Sequence, residues 1–260
     1  MWKRLASHFN SLSVKYFSSH QSEVNHCSFS RDGQLLLTGS DDCNVCVWNV
    51  ENEKLLSKFK GHTGPVKACA FSADSTLFAS GSSDCTVRVW DVKTGQCLHV
   101  LQGHSKTVET VCFSHDMNLL VSGSWDYTAI LWDPKSGRLV KSLSQHRNVI
   151  KACAFSFKGG YLASGSWDKT VRVWDPRNGR LIFLLQEHTG RVMSLAFSLD
   201  AILLVTAAGD ETIRVWDCED GECKKILKGH LDLIFSCQFS PTNTLLTAGT
   251  SDYELTTGPT

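Results

Sequence analysis

An all-β fold of six repeated four-stranded units is predicted by three observations. The histidines His20, His62, His104, His146, His188 and His230 stand 42 residues apart, with no insertion or deletion in the series. Trp48, Trp90, Trp132, Trp174 and Trp216 keep the same period, as do a Phe-Ser pair starting at Phe29, Phe71, Phe113, Phe155, Phe197 and Phe239 and the acids Asp42, Asp84, Asp126, Asp168, Asp210 and Asp252. Between these anchors, short β-type runs alternate with turn signals, and no helical periodicity competes. A fixed period shared by four residue types is the mark of a repeat architecture.

Taken in chain order, residues 1–11 read as an N-terminal tail. Lys3 and Arg4 are basic, but no apolar segment and no small-residue cleavage site follow them, so the tail is not a secretory signal. Met1 to His20 is short of acids, as mitochondrial presequences are; the reading adopted is an ordinary tail leading into a strand. Leu12 to Phe17 has the spacing before His20 that Lys54 to Phe59 has before His62, and it reads as a strand. Within the period 62–103, Val66 to Phe71 is the first strand, Asp74-Ser75 a turn, Leu77 to Ser80 the second strand and Ser82 to Asp84 a tight turn. Thr86 to Trp90 is the third strand, Thr94-Gly95 a hairpin turn, and Gln96 to Leu101 the fourth. Such a unit cannot bury both of its faces alone, so neighbouring units must stack radially.

Composition agrees with a globular chain. Among 260 residues, 42% are hydrophobic and 20% charged, and no apolar run approaches the length of a membrane-spanning helix. Lys and Arg number 26 against 26 Asp and Glu, with no block of like charge, so neither nucleic acid nor an anionic membrane is the expected partner. Eleven cysteines, an odd number, and no secretory signal point to free thiols in a reducing intracellular compartment, cytoplasmic or nuclear.

The run Gly61-His62, Phe71-Ser72, Ser80-Gly81-Ser82-Ser83-Asp84 and Val89-Trp90-Asp91 recurs in phase from about residue 12 to the C-terminus and resembles the WD-repeat β-propeller family. The resemblance implies an all-β propeller, and five intact blades plus one composite blade give it six, each of four antiparallel strands. It also implies that one Trp, Ser or Thr, His and Asp per blade form a hydrogen-bonded network joining the third strand, the second strand, the entering loop and the tight turn. Here the sets are Trp90, Ser80, His62 and Asp84; Trp132, Ser122, His104 and Asp126; Trp174, Ser164, His146 and Asp168; and Trp216, Thr206, His188 and Asp210. Trp48, Thr38, His20 and Asp42 form the first.

Closure of the ring is expected from a composite blade, with Leu12 to Phe17 as the outer strand of the last repeat, so that residues 12–260 form one domain closed by 12–17 and 231–257. In that last repeat Ala248 replaces the Ser/Thr and Gly258 falls where the Trp belongs, leaving its third strand, Tyr253 to Thr257, without the network. The alternative is a truncated seven-bladed propeller.

A Ser, His and Asp in one blade suggest a hydrolase triad, but a catalytic group is needed once and this set occurs five times. Cys43 and Cys46, and Cys218 and Cys223, lack a second ligand pair at zinc-site spacing. Cys27, Cys69, Cys153 and Cys237 share one position on the first strand, as small apolar core residues would. No phosphate loop or nucleophile elbow interrupts the repeat. The expectation is a protein that is no enzyme, takes no cofactor or metal, and serves as a monomeric scaffold within larger complexes.

In the family, the residue five after the repeat His and the residue before the turn Asp project onto the top face. The resemblance therefore implies Asn25, Lys67, Glu109, Lys151, Met193 and Phe235, and Asp41, Ser83, Trp125, Trp167, Gly209 and Ser251. Trp125 and Trp167 stand outside the structural Trp phase in turns that need no large side chain, with Tyr127, Lys151, Lys169 and Arg191 at neighbouring positions. Exposed aromatics beside cations suit a peptide with an apolar or aromatic anchor and an acidic group; the competing reading is that both Trp pack flat as covers. The stretch from Ser164 to Arg177 is similar to the Trp-Asp-x-Arg box by which some WD propellers dock the adaptor of a cullin-RING ubiquitin ligase, with Arg177 as the charge contact. Scaffolding of ciliary or dynein assemblies and of chromatin complexes are further family roles.

Overall fold

In the computed structural model, which describes residues 15–229, 232–240, 245–250 and 255–259, the 42-residue period becomes six antiparallel sheets. The first strands are Val24–Phe29, Val66–Phe71, Val108–Phe113, Ile150–Phe155, Val192–Phe197 and Ile234–Phe239. Second strands run Leu35–Ser40, Leu77–Ser82, Leu120–Ser124, Leu162–Ser166, Leu203–Ala208 and Leu245–Thr250, and third strands Asn44–Asn49, Thr86–Asp91, Ala129–Asp133, Val171–Asp175, Thr212–Asp217 and Leu255–Pro259. Leu55–Lys60, Cys97–Gln102, Arg138–Leu143, Arg180–Leu185 and Cys223–Lys228 are the fourth strands. Strands in each sheet pair in sequence order, each an antiparallel neighbour of the next. Neighbouring sheets meet through their first strands, which therefore line the axis while the fourth strands form the rim. This is the propeller, and no helix occurs among the described residues.

Burial explains the residue choice on each strand. The second strands of the first five sheets are covered on both faces, and Ser122, Gly123 and Ser124, like Ser164, Gly165 and Ser166, are small enough to let adjacent sheets approach. Most core clusters form between blades: Ala79 and Val89 of the second sheet pack with Val108, Leu120 and Trp132 of the third, whereas Leu36, Cys46 and Trp48 cluster within the first sheet. Fourth strands are largely exposed, as in Arg138–Leu143, where only Leu143 is buried.

Two irregularities recur with the period. A bulge near the start of each first strand leaves one residue out of the ladder, as between Val66 and Ala68, Ile150 and Ala152, and Val192 and Ser194. The residue so displaced is Asn25, Lys67, Glu109, Lys151, Met193 or Phe235. A bulge re-aims a side chain, and Asn25 and Lys67 so displaced bond Asp41, and Glu109 bonds Trp125, in the turns that begin the third strands. Directly after the turn Asp of the first five blades, Cys43, Cys85, Tyr127, Lys169 and Glu211 have φ between 62° and 71°, the left-handed conformation that closes the top turn.

Strand boundaries differ from the expected ones by a residue or two. Second strands extend to Ser82 because Val66 pairs with Ser82 beyond the bulge. In the last repeat the third strand is Leu255–Pro259 instead of Tyr253 to Thr257; Leu255 pairs with Gly249 as Val87 pairs with Gly81, so the register of the other blades is kept. Gly258 lies opposite Leu246, where the second sheet sets Trp90 opposite Phe78. This sixth sheet has three strands among the described residues. Of the expected closing strand, residues 12–14 lie outside the described residues, and 15–17 are not in a strand. Lys15 Nζ donates to Val50 O at 2.6 Å and Phe17 packs edge-on against Trp48.

Candidate protein-interaction surface

The scaffold of the site is the repeated network. Trp90 Nε1 donates to Ser80 Oγ at 2.9 Å, Ser80 Oγ lies 2.8 Å from His62 Nε2, and His62 Nδ1 lies 2.8 Å from Asp84 Oδ2. The same chain links Trp132, Ser122, His104 and Asp126; Trp174, Ser164, His146 and Asp168; and Trp216, Thr206, His188 and Asp210. Trp48, Thr38, His20 and Asp42 complete the set of five. With the Trp N–H donating to the hydroxyl and the hydroxyl donating to Nε2, a neutral imidazole is left to donate from Nδ1 to the carboxylate. Each Asp also accepts backbone N–H groups from the turn and the entering loop, as Asp84 does from Thr86 and Thr63.

These bonds set the charge states. Burial works against the Asp84 carboxylate, yet the bonds from Thr86 and His62 outweigh it and hold its pKa down to about 2. Asp210 is held down to about 2 in the same way, and Asp42, Asp126 and Asp168 lie lower still. Burial also lowers His62 and His188, against the pull of their Asp partners. The imidazoles are inside and already bonded on both nitrogens, so none is free to act as a base on a substrate.

The family model for the WD domain, G-beta repeat, matches residues 11–49, 53–91, 95–133, 137–175, 179–217 and 221–255. The chain belongs to the WD40 repeat family. Repeats of this family serve as protein–protein interaction scaffolds and are typically without enzymatic activity. Among curated proteins, the chain is similar to WD repeat-containing protein 38 of Homo sapiens, 51% identical over 43 residues, and to WD repeat-containing protein 38 of Mus musculus, 46% identical over 43 residues. Each match covers 16% of this chain and spans 14% of the length of the curated relative. No helix among the described residues is long and apolar enough to cross a membrane.

On this WD40 scaffold the turn that begins each third strand and the first-strand bulge face the same end of the propeller. Trp125 and Trp167 meet there, ring centroids 5.3 Å apart at 65°. Trp125 is 40% exposed and donates Nε1–H to Glu109 Oε1 at 2.8 Å, while Glu109 Oε2 is held by Lys151. Arg191 lies 4.6 Å over the Trp167 ring. Buried Trp167 Nε1 has no hydrogen-bond partner among the described residues. Tyr127, 39% exposed, carries Lys106 5.5 Å from its ring. Lys106 was not among the residues expected from sequence; nothing in its position beyond a positive charge one residue from a loop Ser distinguishes it.

Charge at this end is more balanced than residue types alone suggest. Lys67 is paired with Asp41 at 2.8 Å and Lys151 with Glu109, so these two cations are offset by carboxylates on neighbouring blades. Arg191, Lys169 and Lys106 have no carboxylate partner among the described residues. Arg177 is elsewhere. The strand Val171–Asp175 leads from the Trp167 turn to the Arg177 turn, about 17 Å at strand rise, so Arg177 lies at the opposite end of the blade. Its side chain is 80% exposed and bonds Asp175 through Nε at 3.0 Å and Nη2 at 3.3 Å.

Proposed function

We propose that this chain is a non-catalytic recognition platform that binds a peptide or partner segment at the top of its third and fourth blades. The observation that carries this reading is the Trp125–Trp167 pair. Both indoles sit in turns where the other blades have Asp41, Ser83 and Gly209, so blade packing does not call for them. Their contact leaves an open aromatic face on Trp125, an unsatisfied N–H on Trp167 and an unpaired guanidinium at Arg191. Such a set suits an apolar or aromatic anchor followed by a carboxylate, which Arg191 would take and Lys169 would attract. The eleven unpaired cysteines favour a reducing, intracellular setting.

A peptide array screened with the chain and with its Trp125→Ala/Trp167→Ala variant tests this. Loss of the bound sequences in the variant is the expected result; unchanged binding would reduce both indoles to surface covers.

A second reading, docking of a ubiquitin-ligase adaptor, draws on the exposure of Arg177 at the other end of the fourth blade. Asp175 already engages two of its nitrogens, which leaves fewer for a partner. Co-precipitation of the adaptor that Arg177→Ala does not weaken would remove this reading.

A further inference from the structure

The turn from the first strand to the second keeps one pattern in the first, second, third and fifth blades and breaks it in the fourth. Asp32, Asp74, Asp116 and Asp200 accept the hydroxyl protons of Ser30, Ser72, Ser114 and Ser198 at 2.5 to 2.6 Å, and each also accepts the backbone N–H two residues further on. The fourth blade sets Lys158 at that position, so the charge is reversed and fully buried Ser156 has no carboxylate there to take its hydroxyl proton. Gly159 and Gly160 follow. Gly159 has φ 69°, but Ser75, Met117 and Ala201 adopt the same left-handed conformation at the same position, and no atom lies within 4 Å of a Cβ on either glycine. Neither strain nor packing calls for them. Ahead of Lys158 stands Phe157, 40% exposed, its ring centroid 4.0 Å from that of His115 on the third blade.

These departures surround a furrow at the end of the propeller opposite the Trp125–Trp167 pair. A cavity of about 360 Å³ lies between the third and fourth blades, with Leu119, Phe155 and Phe157 as its apolar wall. A second of about 510 Å³ reaches Ile182 and Asp200. Lys158, Gly160 and Arg177 line both, so the two join across the fourth blade. Gly160 opens the passage, because the third blade has Asn118 at that position, held by Lys135 at 3.1 Å. The acids of the furrow are already engaged, Asp116 and Asp200 by their own turns and Asp175 by Arg177. Lys158 is exposed and makes no hydrogen bond or ion pair among the described residues; Asp200, lowered chiefly by its Ser198 bond, feels its charge from a distance.

We propose that this furrow seats an extended acidic segment of a partner protein, with one aromatic or large apolar side chain against Phe157 and His115 and a neighbouring carboxylate on Lys158. A furrow that crosses a whole blade follows a chain rather than a compact ligand, and each of its cavities has the volume of a small ligand site. An apolar wall beside one uncommitted cation selects an apolar anchor with an acid next to it. The repeat itself supplies none of this, since the other described turns of this kind carry a carboxylate where Lys158 stands and a side chain where Gly160 has none.

The test uses the full chain carrying Trp125→Ala/Trp167→Ala, so that its outcome is separate from that of the top-face reading. Random dodecapeptides displayed on phage are selected on that chain, and the recovered sequences are synthesised and titrated by fluorescence anisotropy. The expected peptides carry an aromatic or large apolar residue next to Asp or Glu, and their affinity falls by about tenfold or more with Phe157→Ala and with Lys158→Asp. Lys158→Asp restores the carboxylate of the other blades and with it an acceptor for Ser156, so it should melt at or above the midpoint of its parent, and its loss of binding is then not a loss of fold. Gly160→Asn gives the fourth blade the third blade's residue, should block the furrow with the same loss of binding, and decides where Phe157→Ala does not fold. Recovery of no binding peptide, of peptides with a basic residue beside the anchor, or of peptides indifferent to these substitutions overturns the proposal. A lowered midpoint in Lys158→Asp would make Lys158 a structural part of the turn and overturns it as well.

Discussion

Ser80 Oγ bridges two buried partners, accepting the Trp90 indole N–H at 2.9 Å and lying 2.8 Å from His62 Nε2. It is 0% exposed, so no water can replace it. Ser80→Ala leaves a buried donor and a buried acceptor unsatisfied, at a cost of about 3 kcal/mol. Denaturant unfolding of the variant should show this loss, whereas Ser83→Ala, in the half-buried turn next to the network, removes no bond of the network and should fall within about 0.5 kcal/mol of the parent.

Acid should unfold the propeller in two stages. His62 and His188 are lowered from the ordinary 6.5, so the unfolded chain takes up protons there first. Their contribution is complete above pH 6.5 and is lost as pH falls through the lowered values. Asp84 and Asp210, lowered from 3.8 to about 2, contribute fully above pH 3.8 and lose that contribution on the way to pH 2. A melting series from pH 8 to pH 2.5 should be flat above neutrality, decline below 6.5 and steepen below 4. A midpoint that rises on acidification would contradict neutral, Asp-bonded imidazoles.

Gly123 lies where a methyl would stand 2.6 Å from Ile150 Cγ2 and 2.8 Å from Thr110 Cγ2. Gly123→Ala must therefore spread the third and fourth blades, and overpacking of this kind costs about 1–3 kcal/mol. Gly249→Ala, with nothing described within 4 Å, should leave the thermal midpoint unmoved in a parallel melt.

Binding and stability should separate at the top face. Trp125 is partly exposed and anchored to Glu109 by one bond, so Trp125→Ala should change stability by about 1 kcal/mol or less. If Trp125 is a binding anchor, the same substitution should weaken a selected peptide by about 30-fold in titration calorimetry. Equal small effects on both would mark the indole as a cover.

Much of this was readable in one dimension because each anchor has a fixed physical job in every blade. A buried Trp needs an acceptor, the Ser or Thr supplies it, and the spacing of 10 residues between Ser80 and Trp90 is that of adjacent strands joined by a tight turn. The bulge that takes Lys67, Glu109 and Lys151 out of the ladder leaves no mark in residue type, since the displaced side chains are as different as Asn25, Met193 and Phe235. The ion pairs Lys67–Asp41 and Lys151–Glu109 were hidden for another reason: partners come from different blades, 26 and 42 residues apart. Period arithmetic marks those positions but says nothing of how the side chains turn.

The period of 42, the four strands per unit, the networks and the family are properties of local pattern, since each repeat carries its own anchors and hydrogen-bonding partners within about 30 residues. Whether the last blade meets the first is a property of the ring alone. Val24 has the same residue type as Val66 and Val108, which are fully covered, yet it stands half exposed, and Gly249 has the form of a socket with no described occupant. Blade angle accumulates around the axis, so only the assembled ring decides which of these like residues is covered, and among the described residues Val24 is not.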